Sequence, residues 1–212
     1  MADDLKYGYK GAEPTQSFGS NTGVFDPADI NNLIADNKWT SFGQLELIET
    51  QTASVVGNLV FSDIKEDIYN VHLLTYNDCT VATDNNDLWI RLYENGVEET
   101  AGVYQVAYQY GFSNGTFGEH KFTNQSRLNG SWGVGTGTGE TASGYHYFYN
   151  LGDSTKYSFQ TSHWTQLEQS GVYVFGFGSG VLPQASVVDG IKFLAESGNF
   201  SGTVSLYGIR YS

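Results

Sequence analysis

The chain has 212 residues, with 10 Lys and Arg against 23 Asp and Glu, a net charge of −13 and an aromatic content of 15%. The aromatic content excludes an intrinsically disordered chain, and the acidity argues against nucleic-acid binding, which requires a basic face. No apolar run approaches the roughly 20 residues of a membrane span, so we expect no membrane partner.

The chain begins with a polar, acidic stretch, Met1 to Lys6. It lacks the basic start and apolar stretch of a signal peptide, so we expect folding in a cytoplasm. The single Cys, Cys79, excludes an intrachain disulfide and a thiolate zinc site. Stability must therefore come from the core, from partner chains, or from both.

The N-terminal segment, residues 1–42, is predicted to be an arm followed by one short helix. Residues 1–25 are polar and rich in Gly, with no helix or strand period. A helix is predicted at residues 26–36, because Asp26 suits the N-cap position and Pro27 the first helical position. A helix this short needs a packing partner.

The apolar residues of this segment are the candidate partner-binding residues. A disordered arm that orders on binding can cover a large surface. We expect it to anchor the chain to a partner, and the alternative is that the helix packs on the chain's own sandwich. The residues expected to become buried are Val24, Phe25, Ile30, Leu33, Ile34 and Trp39.

From Gly43 onward the hydrophobic period changes to two, which predicts one β domain over residues 43–212. Runs of Val, Ile, Thr and aromatic residues alternate with Gly, Asn, Asp and Ser turns. Ten short strands without intervening helices predict an all-β, antiparallel β-sandwich, with a jelly roll as its topology. The predicted strands cover residues 44–51, 55–61, 69–75, 88–94, 103–110, 145–151, 157–164, 172–177, 191–195 and 203–209.

Between the predicted strands, residues 130–140 read GSWGVGTGTGE. This run has no apolar period, so it predicts a mobile loop between two strands. A phosphate-binding loop would need an adjacent Lys or a helix N-terminus, and neither is present in the pattern. We therefore expect no phosphate cofactor.

The residues that could carry catalysis or bind a metal do not form a recognisable motif. The four histidines lack metal-ligand spacing, and the acidic neighbour Asp78 should raise the pKa of the Cys79 thiol. We therefore expect no catalytic residue, no cofactor and no metal. The histidines are His72, His120, His146 and His163.

Two acidic clusters leave narrower alternatives open. Glu46 and Glu49 are an odd number of residues apart, so an ideal strand directs them to opposite faces, unlike a glycosidase pair. Glu98 and Glu99 follow a predicted hairpin turn and should be solvated. The oxygen-rich stretch from Asp84 to Asp87 is predicted to be a solvated turn, with calcium bound by those two aspartates as the alternative.

Tyrosines recur on alternate positions of two predicted strands. Six on two strand faces exceeds what a sandwich needs to bury, and exposed Tyr is typical of protein interfaces and of sugar-stacking sites. A subunit interface is favoured, because apolar contact must offset the repulsion between acidic copies. The six are Tyr104, Tyr108, Tyr110, Tyr145, Tyr147 and Tyr149.

The C-terminal sequence is similar to a known family. Residues 188–194 read VDGIKFL and residues 196–209 read ESGNFSGTVSLYGI. They resemble the closing strands of tailed-phage virion proteins, often marine and cyanophage-like, with Lys192 in place of the commoner Arg. Residues 45–53 and 149–157 resemble earlier strands of that family. The resemblance implies a jelly-roll-like domain on a virion surface, commonly a trimer.

We therefore expect a non-enzymatic phage virion structural protein, most specifically a capsid decoration or cement protein anchored by its N-terminal arm. Its partners would be other virion proteins, capsid or tail subunits, and further copies of itself. The alternative is a tail-fibre or tail-associated receptor-binding module for host surface glycans, which predicts exposed Trp132, Trp164 or Tyr residues in loops at the free end. A sandwich glycan hydrolase would require a close carboxylate pair in a cleft.

Deletion of residues 1–42 tests this division of the chain. We expect the remaining chain to keep the far-UV circular dichroism signal of strands and to lose attachment to the virion, because the β period begins at residue 43. Loss of the strand signal, or undiminished cosedimentation of the truncated chain with particles, would contradict the prediction.

Overall fold

The computed structural model describes residues 27–35 and 45–209. The predicted helix is present as α1, Pro27–Ala35, with Asp29 in its first turn. Thirteen strands follow within residues 45–209. They are β1 (Leu45–Val56), β2 (Asn58–Phe61), β3 (Val71–Val81), β4 (Asn86–Glu94), β5 (Val97–Glu98), β6 (Tyr104–Phe112), β7 (Phe117–Gln125), β8 (Leu128–Val134), β9 (Ala142–Tyr149), β10 (Ser158–Leu167), β11 (Tyr173–Leu182), β12 (Val188–Ala195) and β13 (Phe200–Ile209).

The strands form two antiparallel sheets, which confirms the predicted all-β sandwich. The larger sheet has the order β1-β13-β3-β9-β10-β11-β6-β7. The smaller sheet has the order β2-β12-β4-β5, and β8 also pairs with β4. Large apolar side chains fill the space between the sheets, among them Phe61, Phe148, Phe193, Phe200 and Trp164.

Eight of the strands have the pairing of a jelly roll. In that topology an eight-stranded hairpin is wound so that the first strand pairs with the last, the second with the seventh, and so on inward. Here the corresponding pairs are β1 with β13, β2 with β12, β3 with β9, and β4 with β8. The remaining strands β6, β7, β10 and β11 extend the larger sheet, and β5 forms a short hairpin with β4.

The prediction of a mobile loop over residues 130–140 is wrong for residues 130–134. Residues 130–134 belong to β8, which pairs with β4. Gly130 faces the Leu88 carbonyl, where a Cβ would approach the oxygen to 2.6 Å, and its own carbonyl accepts a bond from the Tyr76 hydroxyl at 2.9 Å. The glycines allow close strand approach here, a use that composition does not reveal.

Strand β11 explains how the larger sheet accommodates Trp164. Its inward positions include Gly176 and Gly180, whereas Phe175 and Phe177 alternate with them on the other side. A Cβ at Gly176 would overlap the Trp164 indole, and one at Gly180 would lie 2.5 Å from Leu128 Cδ2. The missing side chains therefore make room for the large residues of neighbouring strands.

Replacing Gly176 with Ala should destabilise the domain by about 2–3 kcal/mol, because the new methyl group overpacks against the buried Trp164 ring. Chemical denaturation monitored by Trp fluorescence measures the change. Gly57→Ala is the matched control, since a Cβ there finds its nearest atom at an ordinary 3.5 Å. Equal stability of the two variants would contradict the packing explanation.

Candidate functional site

Half of the predicted partner-binding residues fall in the described part of the chain. Ile30, Leu33 and Ile34 lie on α1, and no residue of this helix is buried. Ile30 and Leu33 are half-buried, whereas Ile34 is 56% exposed. Val24, Phe25 and Trp39 lie outside the described residues, so the anchor remains a prediction.

The six tyrosines do not act as one group. Tyr104 is fully buried, and Tyr108 and Tyr110 pack against the core, so the β6 set faces inward. The set on β9 (Tyr145, Tyr147 and Tyr149) faces outward, with Tyr145 41% exposed. Strand alternation correctly predicts that each set shares a face, but the direction of that face depends on which sheets surround it.

The two tryptophans expected at an exposed binding site are not exposed. Trp164 is 1% exposed and belongs to the core. Trp132 is half-buried, and its ring packs on Tyr110 with the ring centroids 5.0 Å apart. The prediction of an exposed tryptophan is therefore wrong, whereas the alternative of exposed tyrosines stays a prediction.

The Asp84–Asp87 stretch, of which Asn86 and Asp87 begin β4, holds the end of β8 and the glycine-rich segment after it. The Asp87 carboxylate accepts a bond from Gly133 N at 2.9 Å, and the Asp84 carboxylate accepts one from Thr136 N at 3.1 Å. Burial raises the pKa of Asp87 to about 6. Among residues 27–35 and 45–209, no group of three or more His, Cys, Asp or Glu is placed to hold a metal ion.

Two histidines and the cysteine are buried in structural positions. His72 Nε2 lies 2.8 Å from the Ile64 carbonyl oxygen, and His146 Nδ1 lies 2.6 Å from Gln160 Nε2. Burial lowers the pKa of His146 to about 3, so its imidazole is neutral at pH 7. Burial, with the nearby Asp78 charge, raises the pKa of the Cys79 thiol to about 12, as the sequence predicted.

Glu98 is not the solvated carboxylate that its position after a turn suggested. It forms ion pairs with Arg91 at 2.9 Å and with Lys192 at 2.7 Å on the smaller sheet. Partial burial opposes its ionisation, but the bonds from Lys192 and Arg91 hold the pKa of Glu98 below its ordinary value. The carboxylate therefore joins β4, β5 and β12.

The outer face of the larger sheet, directed away from the smaller sheet, is almost free of charge. Strand alternation and register assign its outward side chains. Among the outward positions of the described strands, the charged residues are Glu119 and Lys121, which pair at 2.8 Å, and the exposed Asp78, which lies at the bulge of β3 opposite Ser143. The remainder are apolar, aromatic, hydroxyl or amide side chains and His163.

One half of this face, which we term the tyrosine face, lies on jelly-roll strands β1, β13, β3 and β9. Leu45 and Leu47 are 47% and 60% exposed at its edge. Tyr145 and Tyr147 pack edge to face at 5.8 Å in its centre. Its larger outward residues are Leu45, Leu47, Val71, Leu73, Tyr145, Tyr147, Tyr149, Tyr207 and Ile209.

The other half contains a groove along β6, which we term the β6 groove. Its floor is formed by the outward residues of β6, one wall by β10 and β11, and the other by edge strand β7. Three adjoining cavities of about 640, 230 and 450 Å³ lie along it. Adjacent cavities share lining residues, namely Ala107, Lys121, Gln109, Glu119 and Phe177.

Sequence reasoning missed this groove. The available signal was the Phe-Gly-Phe-Gly alternation of residues 175–178, in which one side of a strand is bare and the other is aromatic. Read as a site, it would have indicated exposed rings on a sheet surface. The partner strand β7, with its polar sequence FGEHKFTNQ, gave no clear apolar alternation and was not predicted.

Comparisons with known proteins identify no relative: no family model, no curated protein and no solved structure matches this chain. Within the described residues, no helix has the length and apolar character needed to span a membrane.

Buried His146 should make stability depend on pH. Its pKa is about 3 in the folded chain and about 6.5 when unfolded, so between these values only the unfolded state binds the proton. Stability from the neutral imidazole is thus complete above pH 6.5 and is lost as pH falls. The stability advantage of the parent over His146→Phe should shrink by about 1.4 kcal/mol between pH 7.5 and 5.5.

Urea unfolding at the two pH values measures this difference. The parent and variant share the opposing contribution of Asp87, which therefore cancels. Phe200→Leu, at another buried aromatic position, is the control whose stability difference should not change with pH. A His146→Phe difference that is constant with pH would contradict the assignment of a neutral buried imidazole.

Proposed function

We propose that this chain is a non-enzymatic structural protein of a phage virion, with capsid decoration as its role. In this proposal the tyrosine face contacts further copies of the chain and neighbouring virion subunits. In this proposal the homo-oligomer is a trimer, because residues 188–209 resemble virion proteins that commonly form trimers. The N-terminal segment supplies the remaining contact with the particle.

The observation that carries the proposal is the charge distribution. The chain has a net charge of −13, yet the tyrosine face carries one charged side chain among its described outward residues on β1, β13, β3 and β9, the exposed Asp78 at the bulge of β3. Acidic surfaces of two copies repel each other, whereas an uncharged apolar and aromatic face can be brought together without that cost. Tyr and Leu side chains also gain from leaving water.

The size of the tyrosine face supports a role for the N-terminal segment. Four strands about 4.8 Å apart and about eight residues long present roughly 500 Å². Stable interfaces bury about 800 Å² per partner. We therefore assign the remaining contact to the N-terminal segment, where Ile30, Leu33 and the 56% exposed Ile34 form an apolar stripe.

The non-enzymatic assignment is supported by what the candidate chemical groups do. His146 Nδ1 pairs with Gln160 inside the core, Cys79 is held as a buried thiol, and Glu98 is neutralised by Arg91 and Lys192. Each group is accounted for by a contact that stabilises the sandwich.

Charge placed on the tyrosine face tests the proposal. Leu47→Asp and Tyr145→Asp should each reduce self-association at least tenfold, which sedimentation velocity measures, and should lower the occupancy of the chain on capsids in density maps of particles. Val97→Asp is the control, because Val97 is 68% exposed on β5 of the smaller sheet. Unchanged association and occupancy for both test variants, or density for the chain only at the tail, would overturn the proposal.

A further inference from the structure

The β6 groove is built entirely on strands that the jelly roll does not require. The eight jelly-roll strands close the sandwich without β6, β7, β10 and β11, which widen one sheet only. The groove follows β6 from Gln105 to Gly111, six residue steps, or about 20 Å of extended strand. An elongated ligand therefore fits its shape better than a single small molecule.

The floor of the groove is low because its outward residues are small or flexible. Ala107 lies in the centre, and Gly111 closes one end. A Cβ at Gly111 would come within 2.7 Å of Phe175 Cε1 and 2.8 Å of Phe117 Cε1. The two rings therefore meet across the glycine, with centroids 6.5 Å apart, and define the end of the channel.

The walls combine exposed aromatic rings with hydrogen-bonding groups. Phe159 and Phe177 are 47% and 48% exposed along one wall, and Phe117 is 73% exposed on the other. Amide and hydroxyl groups of Gln105, Gln109, Thr161, Ser179, Thr123 and Asn124 lie among these rings. A sugar ring matches such a surface, since its C–H face packs on an aromatic ring while its hydroxyls bond to amides and alcohols.

The charge around the groove indicates which kind of elongated polymer it can bind. Glu119 and Lys121 neutralise each other at 2.8 Å, so no free cation lines the groove within the described residues. The net charge of −13 repels acidic polysaccharides and nucleic acids.

We propose that the β6 groove binds a neutral saccharide chain, with Phe159 and Phe177 as stacking residues and Gln105 and Gln109 as hydrogen-bond partners of the hydroxyls. This site goes beyond the proposed virion role and uses different strands from the tyrosine face. The two regions occupy separate halves of the outer face, so contacts confined to the tyrosine face would leave the groove open to solvent, where it could hold surface glycans of a host cell.

The test uses the full chain and a panel of immobilised neutral oligosaccharides of glucose, mannose and galactose, with heparin as the anionic comparison. We expect binding to at least one neutral chain and weaker binding to heparin, and titration calorimetry then measures the affinity. Phe159→Ala and Phe177→Ala should each weaken binding at least tenfold. Gln109→Leu, which retains side-chain bulk on the floor, should also weaken it.

Tyr157→Ala is the matched control, because Tyr157 has the same 47% exposure as Phe159 and lies outside the groove lining. Its affinity should stay within twofold of the parent, and thermal melting establishes that each variant is folded. Lack of binding to every neutral chain, preference for heparin, or unchanged affinity in all three groove variants would overturn the proposal. Leu47→Asp should retain saccharide binding, which separates failure of this site from failure of the tyrosine face.

Discussion

The two C-terminal strands hold both sheets together, because β12 lies between β2 and β4 while β13 lies between β1 and β3. Their partners are distant in sequence, as in the pairs Ile191 with Phe61 and Phe200 with Val56. Neither sheet is complete until this final segment is in place. The entropy cost of closing long loops must therefore be met before many of the stabilising contacts can form. The segment on which the proposed virion role rests is therefore also the one that closes the fold.

The added strands explain both the inward tyrosines and the groove. An eight-stranded sheet extends beyond a five-stranded one, so the inner side of the extension must be covered by large side chains. Tyr104, Tyr108, Tyr110 and Trp164 supply this cover, with Trp132 of β8 packed against Tyr110. The outer side of the same strands is left with small floor residues between aromatic walls, which produces an open channel.

Charge is distributed so that the two candidate contact regions carry little of it, Asp78 on the tyrosine face and the Glu119–Lys121 pair in the groove. Acidic residues are concentrated elsewhere on the chain, and those near a cation are paired, as Glu119 is with Lys121 and Glu98 with Lys192. Net acidity keeps copies apart except where an uncharged surface allows approach. In the two proposals, the same acidic field would restrict self-contact to the tyrosine face and favour an uncharged ligand in the β6 groove.

The sequence by itself determined the class of fold, the helix at Pro27–Ala35 and most strands, because side-chain alternation and turn residues are local properties. It also showed that Tyr104, Tyr108 and Tyr110 share one face. Only the tertiary structure decided that this face points inward, that residues 130–134 pair as a strand, and that Phe159 and Phe177 meet at one groove. These outcomes depend on strand order and register, which are set by contacts between residues far apart in the chain.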